Sequence, residues 1–283
     1  QVDNARDLTK VDEVHFGLGL NESYTGNGVI IGIIDGGFYY NHDNFKDANG
    51  DLRITRVWER ENNTGTPPAE LGFDYGSEYI GSNEILSKSF DIPDESHGTH
   101  VAGIAAGTGN TSGLRGMAPD SEIVLVSGFQ DTYTDGIEYL KNYAESVNKP
   151  LVVNMSFGSN LGPHDGSTLQ EQIIDNLSDE QGLVMIAAAG NDGNNFIRAK
   201  HAQLNLINEE EPLFLFNGNN NVLMDNSEDF DGLSTSIIDF WGENNGLNSS
   251  FEVAFQVFNI TTGTLQSESG FSINVNGNFE TNE

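Results

Sequence analysis

The chain has 283 residues, with 43 acidic against 12 basic side chains, a formal charge of −31, 36% apolar residues and no cysteine. The length and apolar share exclude a disordered chain and suit one large domain plus part of another. The acidity argues against nucleic acid or an anionic membrane surface as a partner, and no disulfide can support the fold. No stretch is long and apolar enough to span a bilayer. Residue 1 is Gln and no apolar signal core follows it, so a signal segment is not expected within this chain.

In chain order, the first clear element is Val29-Ile30-Ile31-Gly32-Ile33-Ile34, a continuous β-branched run of the kind buried on both faces of a parallel sheet, ending abruptly in Asp35-Gly36-Gly37. A helix is expected from about Thr99 to Ala106, then a strand over Glu122–Val126. Asp135 to Val147 places Ile137, Leu140, Tyr143, Ala144 and Val147 at helical spacing, and Leu151–Met155 reads as a strand. Ile173, Ile174 and Leu177 line one face of a helix over Leu169–Asp179, before a strand over Leu183–Ala189. This alternation predicts an α/β domain, doubly wound around a mostly parallel sheet with helices on both faces. No Lys or Arg follows Lys200; runs such as Phe251–Phe258 and Phe271–Val275 alternate with period two between Gly and Asn turns. The expected division is residues 1–204 as the α/β domain and 205–283 as an incomplete antiparallel β-sandwich.

Three side chains at the ends of these runs carry chemistry. Asp35 stands at a strand's C-terminal end, where open α/β sheets collect their ligands and catalytic groups, and could orient a histidine from a neighbouring loop. His97, in Ser96-His97-Gly98-Thr99-His100-Val101-Ala102-Gly103, feeds a small-residue helix and is the candidate base. Asn191, in Gly190-Asn191-Asp192-Gly193, follows another buried strand and offers an amide donor suited to a developing oxyanion. Taken singly, Asp35 and Asn191 would read as turn formers. A zinc pair of His97 and His100 lacks a third ligand and has Gly98 where a glutamate base usually stands. No metal ligand is assigned, and His100 is read as a packed, hydrogen-bonded support.

Together, Ile34-Asp35-Gly36-Gly37, His97-Gly98-Thr99-His100-Val101-Ala102-Gly103 and Ala188-Ala189-Gly190-Asn191 resemble, in order and spacing, three motifs of the subtilases, the subtilisin-like serine proteases of peptidase family S8. The resemblance covers roughly residues 24 to 200. It implies a serine endopeptidase that hydrolyses peptide bonds by acyl transfer. His97 would take the proton of the attacking serine, Asp35 would fix the imidazole tautomer, and Asn191 would donate in the oxyanion hole. It further implies a polypeptide substrate lying as an extended strand against Ser156-Phe157-Gly158, with Gly128 on the opposing edge. Asp192 would favour a basic residue beside the scissile bond. Catalysis of this type requires no cofactor. Gly109–Gly113 aligns with a loop that binds structural calcium in some subtilases, but few carboxylates sit there and Asn44 stands where the family often has Asp, so calcium is possible but unsupported. The resemblance also implies a secreted bacterial protein, extracellular or at the cell surface.

One family motif is missing. No Gly-Thr-Ser-Met-Ala-like nucleophile segment occurs up to Glu283, and the nearest imitation, Gly232-Leu233-Ser234-Thr235-Ser236, runs into strand-like residues instead of a small-residue helix. The expectation is a protease fragment, inactive alone, whose serine is supplied by a segment beyond Glu283 or by a second chain. Some subtilases carry a jelly-roll-like insertion between the oxyanion asparagine and the serine, and residues 205–283 resemble one cut short. The alternative is a catalytically inactive subtilase-like protein that binds peptide or glycan.

Overall fold

The computed structural model of the chain describes residues 2–110, 113–128, 133–159, 166–191, 249–258 and 265–275. By its contacts the chain divides into two compact units, Gln1–Gly158 with Asp165–Ala189, and Ser159–His164 with Gly190–Glu283. The expected boundary at residues 204 and 205 lies outside the described residues.

The first unit opens with two short helices, α1 (Val2–Leu8) and α2 (Val11–His15). The strand β1 (Ile30–Asp35) follows, then β2 (Ile54–Glu59), β3 (Ser77–Ile80) and helix α3 (Gly81–Lys88). Next come α4 (His97–Ala106), β4 (Glu122–Ser127), α5 (Tyr133–Ser146), β5 (Leu151–Met155), α6 (Leu169–Ser178) and β6 (Leu183–Ala187). The six strands form one sheet in the order β3-β2-β4-β1-β5-β6, parallel except where β3 runs against β2. This is the expected doubly wound α/β architecture, with β1 between β4 and β5 and buried along its whole length.

Alternation along the strands sends side chains to two separate cores. Ile30, Ile34, Val124 and Val126 pack with Ile137, Leu140 and Tyr143 of α5, joined at the margin by Ile174 and Leu177 of α6. Ile31, Ile33, Ile123 and Leu125 face the other way, onto Ala102 and Ala106 of α4 and Ile85 of α3. Helices therefore cover both faces, as predicted. Gly98, Ala102 and Ala106 are the buried positions of α4, so its inner stripe is small and the helix can lie close to the sheet. α6 starts with a capping box in which Thr168 and Glu171 bond each other's backbone N–H. Unlike the other helices of the sheet it buries no residue fully, and Val184 and Ile186 of its neighbour β6 are each 51% exposed.

The second unit contains β7 (Ser249–Phe258) and β8 (Leu265–Val275), an antiparallel pair whose register shifts between Val257 and Phe258. Where an antiparallel sandwich is anticipated, the described residues show this one antiparallel pair, and the rest of that expectation lies outside the described residues.

Candidate active site

The site is built on the C-terminal end of the sheet. β1 pairs with both β4 and β5, with Asp35 opposite Ser127 and Ile34 opposite Met155, so Gly128 and Ser156 leave their strands on either side of Asp35. Three of the sequence-predicted positions thus come together because their strands are hydrogen-bonded neighbours.

His97 reaches this edge from α4, which begins at His97, two residues before the expected start. The first helical amides have no intrahelical acceptor, and the turn after β1 supplies two. Gly98 N donates to Gly36 O at 2.7 Å and Thr99 N to Gly37 O at 3.1 Å. The Thr99 hydroxyl also donates to Gly37 O at 2.9 Å and accepts from Tyr39 N at 2.7 Å. Gly98 is required here by space, since a Cβ would lie 2.6 Å from Phe38 Cε1 and 2.8 Å from Gly36 O. The helix is therefore stitched onto the turn that follows Asp35.

His97 Nδ1 lies 2.7 Å from Asp35 Oδ1. Asp35 is fully buried, whereas the His97 side chain is 56% exposed, so the far edge of the ring meets solvent while its Nδ1 edge meets the carboxylate. An ionised carboxylate only accepts, so this bond fixes Nδ1 as the protonated nitrogen and leaves Nε2 as the free acceptor. Asp35 Oδ1 also accepts from Gly36 N at 2.7 Å, while Oδ2 is buried without a partner among the described residues.

Burial pushes the Asp35 carboxyl above its ordinary value of 3.8; the bonds from His97 and Gly36 pull against the rise, and the Asp91 charge adds to it. As pH climbs above 3.8, the unfolded chain loses a proton that the folded chain still holds, so this group's contribution to stability falls with rising pH. Asp35→Asn cannot titrate. We therefore expect the melting temperature of Asp35→Asn minus that of the wild type to climb between pH 3.8 and neutrality in thermal scans, starting where the unfolded carboxyl titrates. A difference that falls over this range would contradict the burial argument.

The other expected residues are placed as follows. Ser156, Phe157 and Gly158 continue from β5; the Ser156 hydroxyl accepts from Asn154 Nδ2 at 2.9 Å, and Phe157 packs edge-on against Tyr133 with centroids 5.5 Å apart. A Cβ built on Gly158 meets nothing within 4 Å, so that edge is open. Gly128 is already bonded on both sides: its N–H donates to Asp35 O at 2.9 Å and its carbonyl accepts from the buried guanidinium of Arg60. With φ at 116°, Gly128 adopts a backbone that L side chains rarely take. It acts as an anchored corner at the end of β4. Asn191 belongs to the second unit and is exposed, four residues past the end of β6. Asp192 lies outside the described residues.

One expectation is corrected. His100 is exposed, and its side chain makes no hydrogen bond among the described residues, so it is not a packed support; it occupies the outer side of a helix whose inner stripe is Gly98, Ala102 and Ala106. At the supposed calcium loop, Asn44 Oδ1 accepts from Gly109 N at 2.8 Å, and Asn110 Nδ2 donates to Lys46 O and Asp47 O at 2.9 Å each. These protein donors tie the loop together. Among the described residues, no cluster of three or more His, Cys, Asp or Glu could hold a metal ion.

Three further residues of the site escaped the sequence reading. Asp91 and Thr99 bind the turn after Asp35, and Arg60 holds the Gly128 carbonyl. Thr99 carries a signal, lying inside the histidine motif; Asp91 and Arg60 carry none, because their partners are remote in sequence.

The structure thus brings a buried strand-end carboxylate into hydrogen-bond contact with a histidine at the start of a small-residue helix. The subtilase family model matches residues 26–224, and the chain belongs to this family of serine proteases. It is 31% identical over 193 residues to subtilisin DY of Bacillus licheniformis, covering 66% of this chain and 54% of that protein. It is 35% identical over 103 residues to the minor extracellular protease Epr of Bacillus subtilis strain 168, covering 36% of this chain and 15% of Epr. Among solved structures it resembles the CspB protease of Clostridium perfringens with a TM-score of 0.57 and 31% identity, over 68% of this chain and 40% of that one. The chain thus spans about half of subtilisin DY and a smaller share of the other two.

Proposed function

We propose that the protein is a subtilisin-like endopeptidase in which Asp35, His97 and a serine outside these 283 residues form the triad. The observation that carries the reading is the 2.7 Å bond between a buried Asp35 and a half-exposed His97. That arrangement leaves Nε2 facing solvent, where a serine hydroxyl would sit to be deprotonated. The serine comes from a segment beyond Glu283 or from a second chain. The partly exposed apolar side chains of β6, Val184 and Ile186, are a surface on which that segment would pack. Asn191 donates to the oxyanion.

The substrate is a polypeptide held as an extended strand. Ser156-Phe157-Gly158 forms one edge, supported by the absence of any main-chain bond from Ser156 or Gly158 to another described residue. Gly128 lies on the opposing edge, with its own N–H already held by Asp35 O. The extracellular or cell-surface location rests on family membership and on the similarity to Epr, a minor extracellular protease. No cofactor enters the chemistry; a calcium ion would serve structure alone.

A fluorophosphonate probe applied to the natural protein tests the reading. One labelled serine is expected, with labelling lost in His97→Ala. A folded, unlabelled natural protein would overturn it in favour of a peptide-binding subtilase without catalysis.

A further inference from the structure

Asp91 lies in the loop between α3 and α4, half-buried, six residues before His97. Its carboxylate accepts four hydrogen bonds: from Phe38 N at 2.6 Å and Ile92 N at 2.7 Å on Oδ1, and from Gly37 N at 3.1 Å and the Ser127 hydroxyl at 2.6 Å on Oδ2. Its own N–H donates to Phe38 O at 3.3 Å. Among the described residues no basic side chain pairs with it. A carboxylate with four donors and no counter-cation is strongly held and hard to replace, because each donor it leaves would have to find water or another acceptor.

Apart from Ile92 N in its own loop, these donors lie at the ends of the two strands that frame the site. Gly37 and Phe38 belong to the turn leaving β1, and Ser127 is the last residue of β4, directly opposite Asp35. The same turn presents Gly36 O and Gly37 O to the first amides of α4. One carboxylate therefore fixes a turn that has Asp35 at its start and carries the helix of His97 on its carbonyls. Gly37, with φ at 78°, has no room for a side chain either, since a Cβ would lie 2.8 Å from Ser96 N. The turn is pinned from the Asp91 loop and the helix start at once.

We infer that Asp91 is a positioning residue for the Asp35–His97 pair: it clamps the Gly36–Phe38 turn to the end of β4 and so sets the Nδ1 to Oδ1 bond without touching either partner's reacting atoms. The inference rests on the catalytic reading of that pair, although the bond it governs is observable without catalysis. In Asp91→Asn the Phe38 and Ile92 bonds persist on the remaining oxygen. The new NH2 group faces the Gly37 N–H, donor against donor, and can no longer accept from Ser127.

The test is proton NMR of the 283-residue chain. The His97 Nδ1 proton, shielded from exchange by its bond to Asp35, is expected far downfield of the amides and is assigned by its loss in His97→Ala. In Asp91→Asn this resonance should broaden or vanish at neutral pH, and the Gly37 amide should exchange roughly tenfold faster, with β2 and β3 amides unaltered. Ser127→Ala, which cuts the clamp's one bond to β4 and leaves the three backbone bonds to the carboxylate in place, should broaden the resonance less than Asp91→Asn does. An unchanged resonance in Asp91→Asn, or equal acceleration of exchange throughout the sheet, would overturn the inference. If the natural protein proves inert toward peptides while Asp91→Asn still loses the resonance, the positioning role is supported and the catalytic reading is what fails.

Discussion

His97→Ala, made in a form of the protein that carries its nucleophile, should lower kcat toward a chromogenic peptide by about 10⁴- to 10⁶-fold with KM nearly unchanged. The size follows from what the ring does. Without it the serine hydroxyl keeps its proton, and the leaving amine has no acid to protonate it. On the proposed function, substrate binding rests on main-chain edges that the substitution leaves alone. The side chain is 56% exposed and begins a helix whose first amides are capped by carbonyls of another element, so the fold should survive. Burst titration of active sites alongside steady-state rates separates inactive from missing enzyme. A loss of less than about tenfold would mean that His97 is not the base.

Trp58→Ala should cost about 3 to 5 kcal/mol of stability, the range for truncating a fully buried large aromatic. Trp58 is 0% exposed, and its ring lies 4.7, 5.1 and 4.9 Å from the centroids of Phe73, Tyr75 and Tyr139, joining β2, the loop after it and α5. Its indole N–H donates to Tyr75 O at 3.2 Å, so truncation removes a bond as well as volume. The cavity would open among Phe73, Tyr75 and Tyr139, in the core on the α5 side of the sheet. Urea denaturation followed by far-UV circular dichroism, at matched m-values, measures the loss. A change under about 1 kcal/mol would mean that the neighbouring rings collapse into the space.

How far the sequence revealed the fold depended on burial. β1, β4 and β5 are covered on both faces, so they are written as continuous apolar runs and were legible at once. β2 was missed because Thr55, Arg56 and Glu59 interrupt it, yet each is paired: Thr55 to Glu122 at 2.7 Å, Arg56 to Glu78 at 2.7 Å, and Glu59 to Tyr40 at 3.0 Å. A strand whose polar groups find partners across the sheet shows no clean period. β3 and α3 were missed with it. The expected helix face over Ile137, Leu140, Tyr143 and Ala144 is the buried face of α5, whereas Val147 falls beyond the helix and is 37% exposed.

The site divided in the same way. Asp35 and His97 sit inside short local motifs, and their meeting follows from strand order. Asp91 could not be found from the sequence, because Phe90-Asp91-Ile92-Pro93 reads as an ordinary loop and its donors lie 54, 53 and 36 residues away. A side chain whose role consists of distant backbone contacts leaves no local trace.

The strand order β3-β2-β4-β1-β5-β6 also has a consequence in time. Of the six strands of this sheet β1 leaves the ribosome first, yet its partners are the fourth and fifth. At about 5 to 20 residues per second, the 120 residues from Asp35 to Met155 take roughly 6 to 24 s to emerge. Until Ser127 has emerged β1 has neither of its neighbours, and until Met155 it lacks one of them, so Asp35 has no complete wall to be buried against. The buried bond between Asp35 and His97 is therefore completed late, and a nascent chain spends those seconds with its central strand in need of protection.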